Sequence, residues 1–186
     1  MSTTTSTTRT LPATGTWTID ASHSEVGFTV RHLGISKTRG RFGAFAGDIV
    51  VAERPEDSRV TVTIDPASVD TKDAGRDEHL RSADFFDVAQ HPEWTFVTTS
   101  VAPNGDRWSV TGELTLAGVT RTVVLDTEVT GLVTDPWGND RVGFVASTEV
   151  NREDFGLTWN AALETGGFLV GKTVKIDLEV EAVLQK

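Results

Sequence analysis

"KTVKIDLEVEAVL", residues 172–184, decides how the chain is read. Val174, Ile176, Leu178 and Val180 fall on one face of an extended segment, and Thr173, Lys175, Asp177, Glu179 and Glu181 fall on the other. Successive side chains of a strand point to opposite faces, so the alternation describes a strand with one wet face and one apolar face. The same period recurs upstream. "EVGFTVRH" (25–32) sets Val26, Phe28 and Val30 against Gly27, Thr29 and Arg31, and "RVTVTID" (59–65) alternates Val60, Val62 and Ile64 with threonines. "WSVTGELTL" (108–116) sets Val110, Leu114 and Leu116 against Thr111, Glu113 and Thr115.

Residues 41–52, 93–102, 121–132 and 141–150 are further strand candidates. The breaks between them carry turn chemistry: "RPEDS" (54–58), "PNGD" (103–106), "AGVT" (117–120) and "DPWGND" (135–140). Asn104-Gly105 is a hairpin signal. Roughly eight strands joined by short connections predict an all-β antiparallel meander, and no helical spacing is long enough for a βαβ crossover. Helix is expected only within "RDEHLRSADFFDV" (76–88), with Asp73 as its cap and its end before Pro92, and in "NREDFG" (151–156).

The 186 residues suit one domain over 15–186, preceded by a polar, threonine-rich tail over 1–14 that reads as disordered. The hydrophobic share of 38% and charged share of 24% are ordinary for a globular chain. A formal net charge of −10 argues against nucleic acid and against an anionic membrane surface. With no cysteine, disulfides, thiolate metal sites and cysteine nucleophiles are excluded. No stretch has the length of a membrane-spanning helix, and the start does not read as a secretory signal, so the expected location is the cytoplasm.

A meander of long strands closes on itself to remove exposed edges. About eight strands enclose an interior that either fills with side chains or holds one small ligand. Residue pattern alone leaves a packed β-sandwich as an equal alternative. An outer-membrane barrel fits less well, because there is no tyrosine for an interfacial girdle and "KIDLEVEA" is heavily charged on its outer face.

Six stretches together resemble the YceI family of lipocalin-like polyisoprenoid-binding proteins. They are "WTIDASHSEVGFTVRH" (17–32), "RGRFGAFAGDIVV" (39–51), "HLRSADFFDVAQHPEWTF" (79–96), "GELTLAGVTRTVVL" (112–125), "VNREDFGLTWN" (150–160) and "VGKTVKIDLEVEA" (170–182). The combination of "HLRSxDFF", "LTLxGVTR" and "RxDFGL" carries the specificity. The resemblance implies an eight-stranded up-and-down barrel with a short helical insertion and an apolar channel for a long isoprenoid chain, of polyprenyl or isoprenoid-quinone type. Under it, Phe28, Val30, Phe42, Phe45, Val62, Ile64, Phe96, Leu114, Leu116, Phe144, Ile176 and Leu178 are the expected channel lining, with Phe85 and Phe86 near one end. Sequestration, without catalysis or a cofactor, is the expected function, and a homodimer is left open. The alternatives are an enzyme acting on a lipid in the channel, a fatty acid or fatty amide carrier, and a filled scaffold without a ligand.

The polar residues read more plainly. His23, His32, His79 and His91 have no zinc spacing, and none is expected to hold a metal; His79 is expected to pin the helical segment by a hydrogen bond. Asp84 and Asp87 read as caps rather than an acid–base pair. Arg81 and Arg152 suit an anionic head group, but in so acidic a chain a carboxylate partner is the expectation. Arg39 and Arg41 read as a solvated strand face. The stretch 157–172, with Gly166-Gly167, reads as a hairpin loop or as a gate over the channel.

Overall fold

The computed structural model describes residues 11–186. The expected tail therefore lies outside the described residues as far as residue 10. Residues 11–14 run without regular structure, and the Ala13 carbonyl accepts a 2.9 Å hydrogen bond from Trp17 Nε1.

Eleven strand segments form one antiparallel sheet: β1 (Gly15–Ile19), β2 (Glu25–His32), β3 (Ser36–Phe42), β4 (Phe45–Val51), β5 (Arg59–Ile64), β6 (Val69–Asp70), β7 (Trp94–Asn104), β8 (Arg107–Leu116), β9 (Val119–Thr134), β10 (Asp140–Asn151) and β11 (Val170–Leu184). The first three staves of the barrel are each broken once, as β1/β2, β3/β4 and β5/β6, so the segments make an eight-stranded closed barrel. β11 closes it. Its first part pairs with β2, as Val174↔Val30, Ile176↔Phe28 and Leu178↔Val26, and its end pairs with β1, as Ala182↔Ile19 and Leu184↔Trp17. One helix, α1 (Ala74–Arg81), lies between β6 and β7 and is capped by Asp73, whose carboxylate accepts from Arg76 N at 2.9 Å.

The breaks form a crease across three neighbouring staves. Each would orphan ladder groups, and each is repaired by short polar side chains. At the first, Ser24 Oγ donates to the Asp20 carbonyl at 2.7 Å and accepts from Glu181 N at 2.9 Å. At the second, Gly43 N and Ala44 N donate to Ser68 O and Ser68 Oγ at 3.2 and 3.0 Å. At the third, Asp65 caps a single 3₁₀ turn, Pro66–Ser68. The single strand expected over 41–52 is thus two, and a strand over 36–42 was not foreseen. "SKTRGR" has no apolar alternation, and it forms a strand because β2 supplies its partner groups.

β7 carries a bulge between Thr98 and Ser100. The buried Thr98 hydroxyl accepts from Val60 N at 3.0 Å and donates to Val60 O at 3.1 Å, continuing the β5–β7 ladder where backbone pairing stops. After the bulge Val101 faces inward, out of phase with Phe96. Two inward rings lie flat over cross-strand glycines. Any side chain at Gly40 would collide with Phe28, and any at Gly112 with Phe96.

At the end of the barrel that carries the β9–β10 turn, Arg141 of β10 binds Asp135 at 2.7 Å, Asp20 at 3.0 Å and Glu181 at 2.6 Å. It ties the β9–β10 turn, the first crease and β11 together. The Ser22 hydroxyl, His23 and Arg141 hold the Asp20 carboxyl well below the usual carboxylate range. Arg141 and the Asn139 N–H do the same for Asp135. A depressed carboxylate contributes stability that is present above its unfolded pKa of about 3.9 and is lost as pH falls toward the folded value. Urea unfolding is therefore expected to show stability falling as pH drops from about 5 to about 2. Arg141→Met should lower stability at neutral pH and flatten that acid limb; an unchanged acid limb would mean that these carboxylates do not couple to folding.

Candidate functional site

The inward face is almost wholly apolar, and it does not fill the barrel. Two cavities lie end to end. One, of about 280 Å³, occupies the half toward residues 11–14 and the 52–58 connection. The other, of about 140 Å³, lies toward α1. Leu114 of β8 and Ile176 of β11 line both, so they form the constriction between the two chambers.

Val62, Phe96, Phe144 and Leu178 line the larger chamber. Phe28, Val30, Phe42, Phe85, Phe86 and Leu116 line the smaller one. Of the remaining expected residues, Leu114 and Ile176 stand at the constriction, while Phe45 and Ile64 pack into the hydrophobic core. Val110, Val180 and Trp94 also line the chambers. They lie in phase with Leu114, Leu178 and Phe96, and the same alternation would have found them. Val101 and Leu157 required the bulge and the loop to be known.

Phe85 and Phe86 follow α1 and close the smaller chamber. The Phe86 ring meets Trp94 edge to face at 4.6 Å, and Phe42 meets Trp94 at 5.2 Å. Outside them, His79 Nε2 lies 2.8 Å from Asp84, and its ring stands edge-on to Phe85 and Trp159. His79 therefore pins the segment, as its place in the sequence suggested. Trp94 Nε1 is the one buried side-chain polar atom among the described residues without a hydrogen-bond partner.

The two motif arginines bind carbonyls rather than carboxylates. Arg81 donates to Ala67 O at 2.8 Å and Val69 O at 3.2 Å. Arg152, only 4% exposed, donates to Gly171 O, Leu157 O, Trp159 O and Val170 O. Those carbonyls lie where the 156–169 connection leaves the ladder, so a fork of donors is what the backbone lacks there. Burial pushes the Arg152 guanidinium below its ordinary pKa. Arg152 lines the smaller chamber, but four of its five N–H donors are spent on the fold. Thr127 and Thr148 are polar within the larger chamber, and Glu53 and Ser58 stand at its mouth. No nucleophile paired with a base faces the interior among these residues. The cluster Asp20, His23 and Glu181 offers ligand atoms for a metal, but Arg141 already bonds both carboxylates.

The profile of the YceI-like domain matches residues 17–182. The chain belongs to the YceI-like family. Among YceI relatives, a UPF0312 protein of Pectobacterium atrosepticum is 40% identical over 168 residues, covering 90% of this chain and 84% of the relative. Protein YceI of Salmonella arizonae is 40% identical, covering 90% and 85%. The YceI protein of Campylobacter jejuni superposes with a TM-score of 0.71 at 30% identity, over 84% of this chain and 90% of that one. Burkholderia cenocepacia BcnA, with a TM-score of 0.77 at 24% identity over 88% and 98%, shares the fold. So does a polyisoprenoid-binding domain of Saccharophagus degradans implicated in plant cell wall breakdown, with a TM-score of 0.70 at 19% identity over 91% and 98%.

Arg152→Met is expected to destabilise the protein by about 3 kcal/mol or more, because several loop carbonyls lose a charged donor at once. A urea midpoint equal to that of the parent would show that water replaces the guanidinium at no cost.

Proposed function

We propose that this chain binds a long isoprenoid lipid, of polyprenyl or isoprenoid-quinone type, and carries it with no bond made or broken. The observation that carries this reading is the unfilled, apolar, two-chamber interior. A filled scaffold would bring its inward side chains into contact, since protein cores pack with few voids larger than water. Here the larger chamber alone approaches the ~300 Å³ lower bound of ligand pockets. The polyisoprenoid-binding description of the Saccharophagus domain, which has the same fold, supports the same ligand class.

The energetics favour the tail over the head. Each buried methylene is worth about 0.8 kcal/mol, so several isoprene units supply ~10 kcal/mol before the costs of ordering and association. Apolar walls discriminate by length and shape rather than by head group. An enzymatic reading would need convergent polar groups in the chambers; those that line them are the scattered Thr127 and Thr148, Glu53 and Ser58 at the larger mouth, and Arg152 in the smaller, which is bonded to loop carbonyls.

Mass spectrometry of solvent extracts from freshly purified protein should return a long-chain isoprenoid. Fatty acid or fatty amide instead would move the ligand class while keeping the carrier, and a lipid-free protein unable to take up any tail would remove the carrier altogether.

The constriction sets a second expectation. Leu114→Trp should close the passage, so that long tails lose more than tenfold in affinity while short ones keep theirs. Excluding even two methylenes from the smaller chamber costs about 1.6 kcal/mol. The double variant Leu114→Ala, Ile176→Ala should widen the passage and shift preference toward longer chains. Equal effects on all chain lengths would show that a tail does not pass between Leu114 and Ile176.

A further inference from the structure

We propose that the tip of the β2–β3 hairpin, with the adjoining loop before β11, is a docking surface for an anionic lipid bilayer. Ile35 is 82% exposed and Phe168 56%, and Leu33 between them is also exposed. They stand on neighbouring segments, because His32 pairs with Val170 and Leu33 N donates to Leu169 O at 2.9 Å. The tip therefore gathers large apolar side chains that the fold leaves in water, which marks an interaction site.

The charge around this tip opposes that of the whole chain. Residues 31–41, "RHLGISKTRGR", hold four Lys or Arg and no carboxylate. Arg31 faces Lys37 across the hairpin, and Thr29 faces Arg39, so Arg31, Lys37 and Arg39 share one outer face. All three are exposed, and none has a carboxylate within ion-pair reach among the described residues. The cations next to them are already balanced: Arg41 by Asp70, Lys172 by Glu153 and Lys175 by Asp177. The net charge of −10 does not cancel this stripe, since charges beyond about 8 Å are screened at physiological salt. Exposed apolar groups with a basic collar are the complement of an anionic bilayer surface.

The opposite end of the barrel supplies a contrast. Trp137, in the β9–β10 turn, is 80% exposed, and Val133, near the end of β9, is 63% exposed. They sit beside Asp135 and Asp140, with one lysine, Lys186, whose Nζ donates to Gly138 O at 2.9 Å. That end has apolar surface without the matching charge. The hairpin end also lies next to the smaller chamber, which Val30 and Val170 line. A bilayer held there abuts the interior, so a tail crosses little water on its way in. The physics of docking does not depend on the carrier reading above; only the purpose of docking does.

The test is flotation of the full chain with vesicles of phosphatidylcholine, with and without a quarter of phosphatidylglycerol. The parent should float with the anionic vesicles, be released by high salt, and stay behind with pure phosphatidylcholine. The double variant Lys37→Glu, Arg39→Glu should lose about twenty-fivefold or more in partitioning, at about fivefold per basic side chain removed. Ile35→Asp and Phe168→Asp should each lose binding, and Trp137→Asp should not. A parent that ignores anionic vesicles overturns the proposal. Equal binding to neutral vesicles, or equal loss in Trp137→Asp, also overturns it. Uptake of a fluorescent prenyl-chain probe from dilute solution, without vesicles, reads the chambers separately. The double variant should take up the probe like the parent; failure of uptake in the parent sinks the carrier reading and leaves the docking result standing.

Discussion

Closure of β11 against the first stave is the contact on which the rest of the barrel depends. An open sheet of these strands would expose two edges and an apolar face, and would invite pairing with other chains. Here one strand of fifteen residues holds both β2 and β1, across the point where the first stave bends. That bend would leave Glu181 N without a partner, and the Ser24 hydroxyl supplies one. The Arg141 guanidinium then fixes the same corner from the β10 side through Asp20, Asp135 and Glu181. A few polar side chains at one seam thus allow a sheet with a crease in three staves to close.

Closure has a consequence inside. Eight strands leave an interior whose filling depends on side-chain size. Several inward positions here carry Val, and two inward phenylalanines, Phe28 and Phe96, lie flat over Gly40 and Gly112 rather than reaching across. The glycines let the rings press toward the wall, and space remains on the axis. The two chambers are what is left when the wall is lined but the centre is not. Leu114 and Ile176, from strands three apart in the ring, narrow that space without closing it.

The strands and their inward faces were legible because period-two alternation survives wherever a strand is half wet. β2, β5, β8 and β11 follow it closely, and most of the expected lining residues face the chambers. Three things were hidden. β3 has no apolar alternation of its own and takes its form from pairing with β2. The bulge in β7 resets the phase, so Val101 could not be placed from Phe96. Phe45 and Ile64 keep the right phase but sit beside the crease, where the wall folds and the core closes over them. The partners of Arg152 were hidden for another reason: a net charge of −10 predicts carboxylates nearby, but says nothing of backbone carbonyls that a loop leaves unpaired.

That last point bears on what the barrel selects. An arginine that gives four of its five N–H donors to carbonyls in the wall keeps at most one for a phosphate or a quinone oxygen. Arg81, held by Ala67 and Val69, lines neither chamber. The interior is therefore lined mainly by hydrocarbon, and hydrocarbon measures length, girth and branching. Under the proposed carrier reading, discrimination among head groups falls to the ends of the tube, at the mouth near Glu53 and Ser58 or at the cover formed by Phe85, His79 and Trp159. On that proposed reading such a barrel divides its labour: the staves set how much tail is held, and the loops at its two ends decide what protrudes.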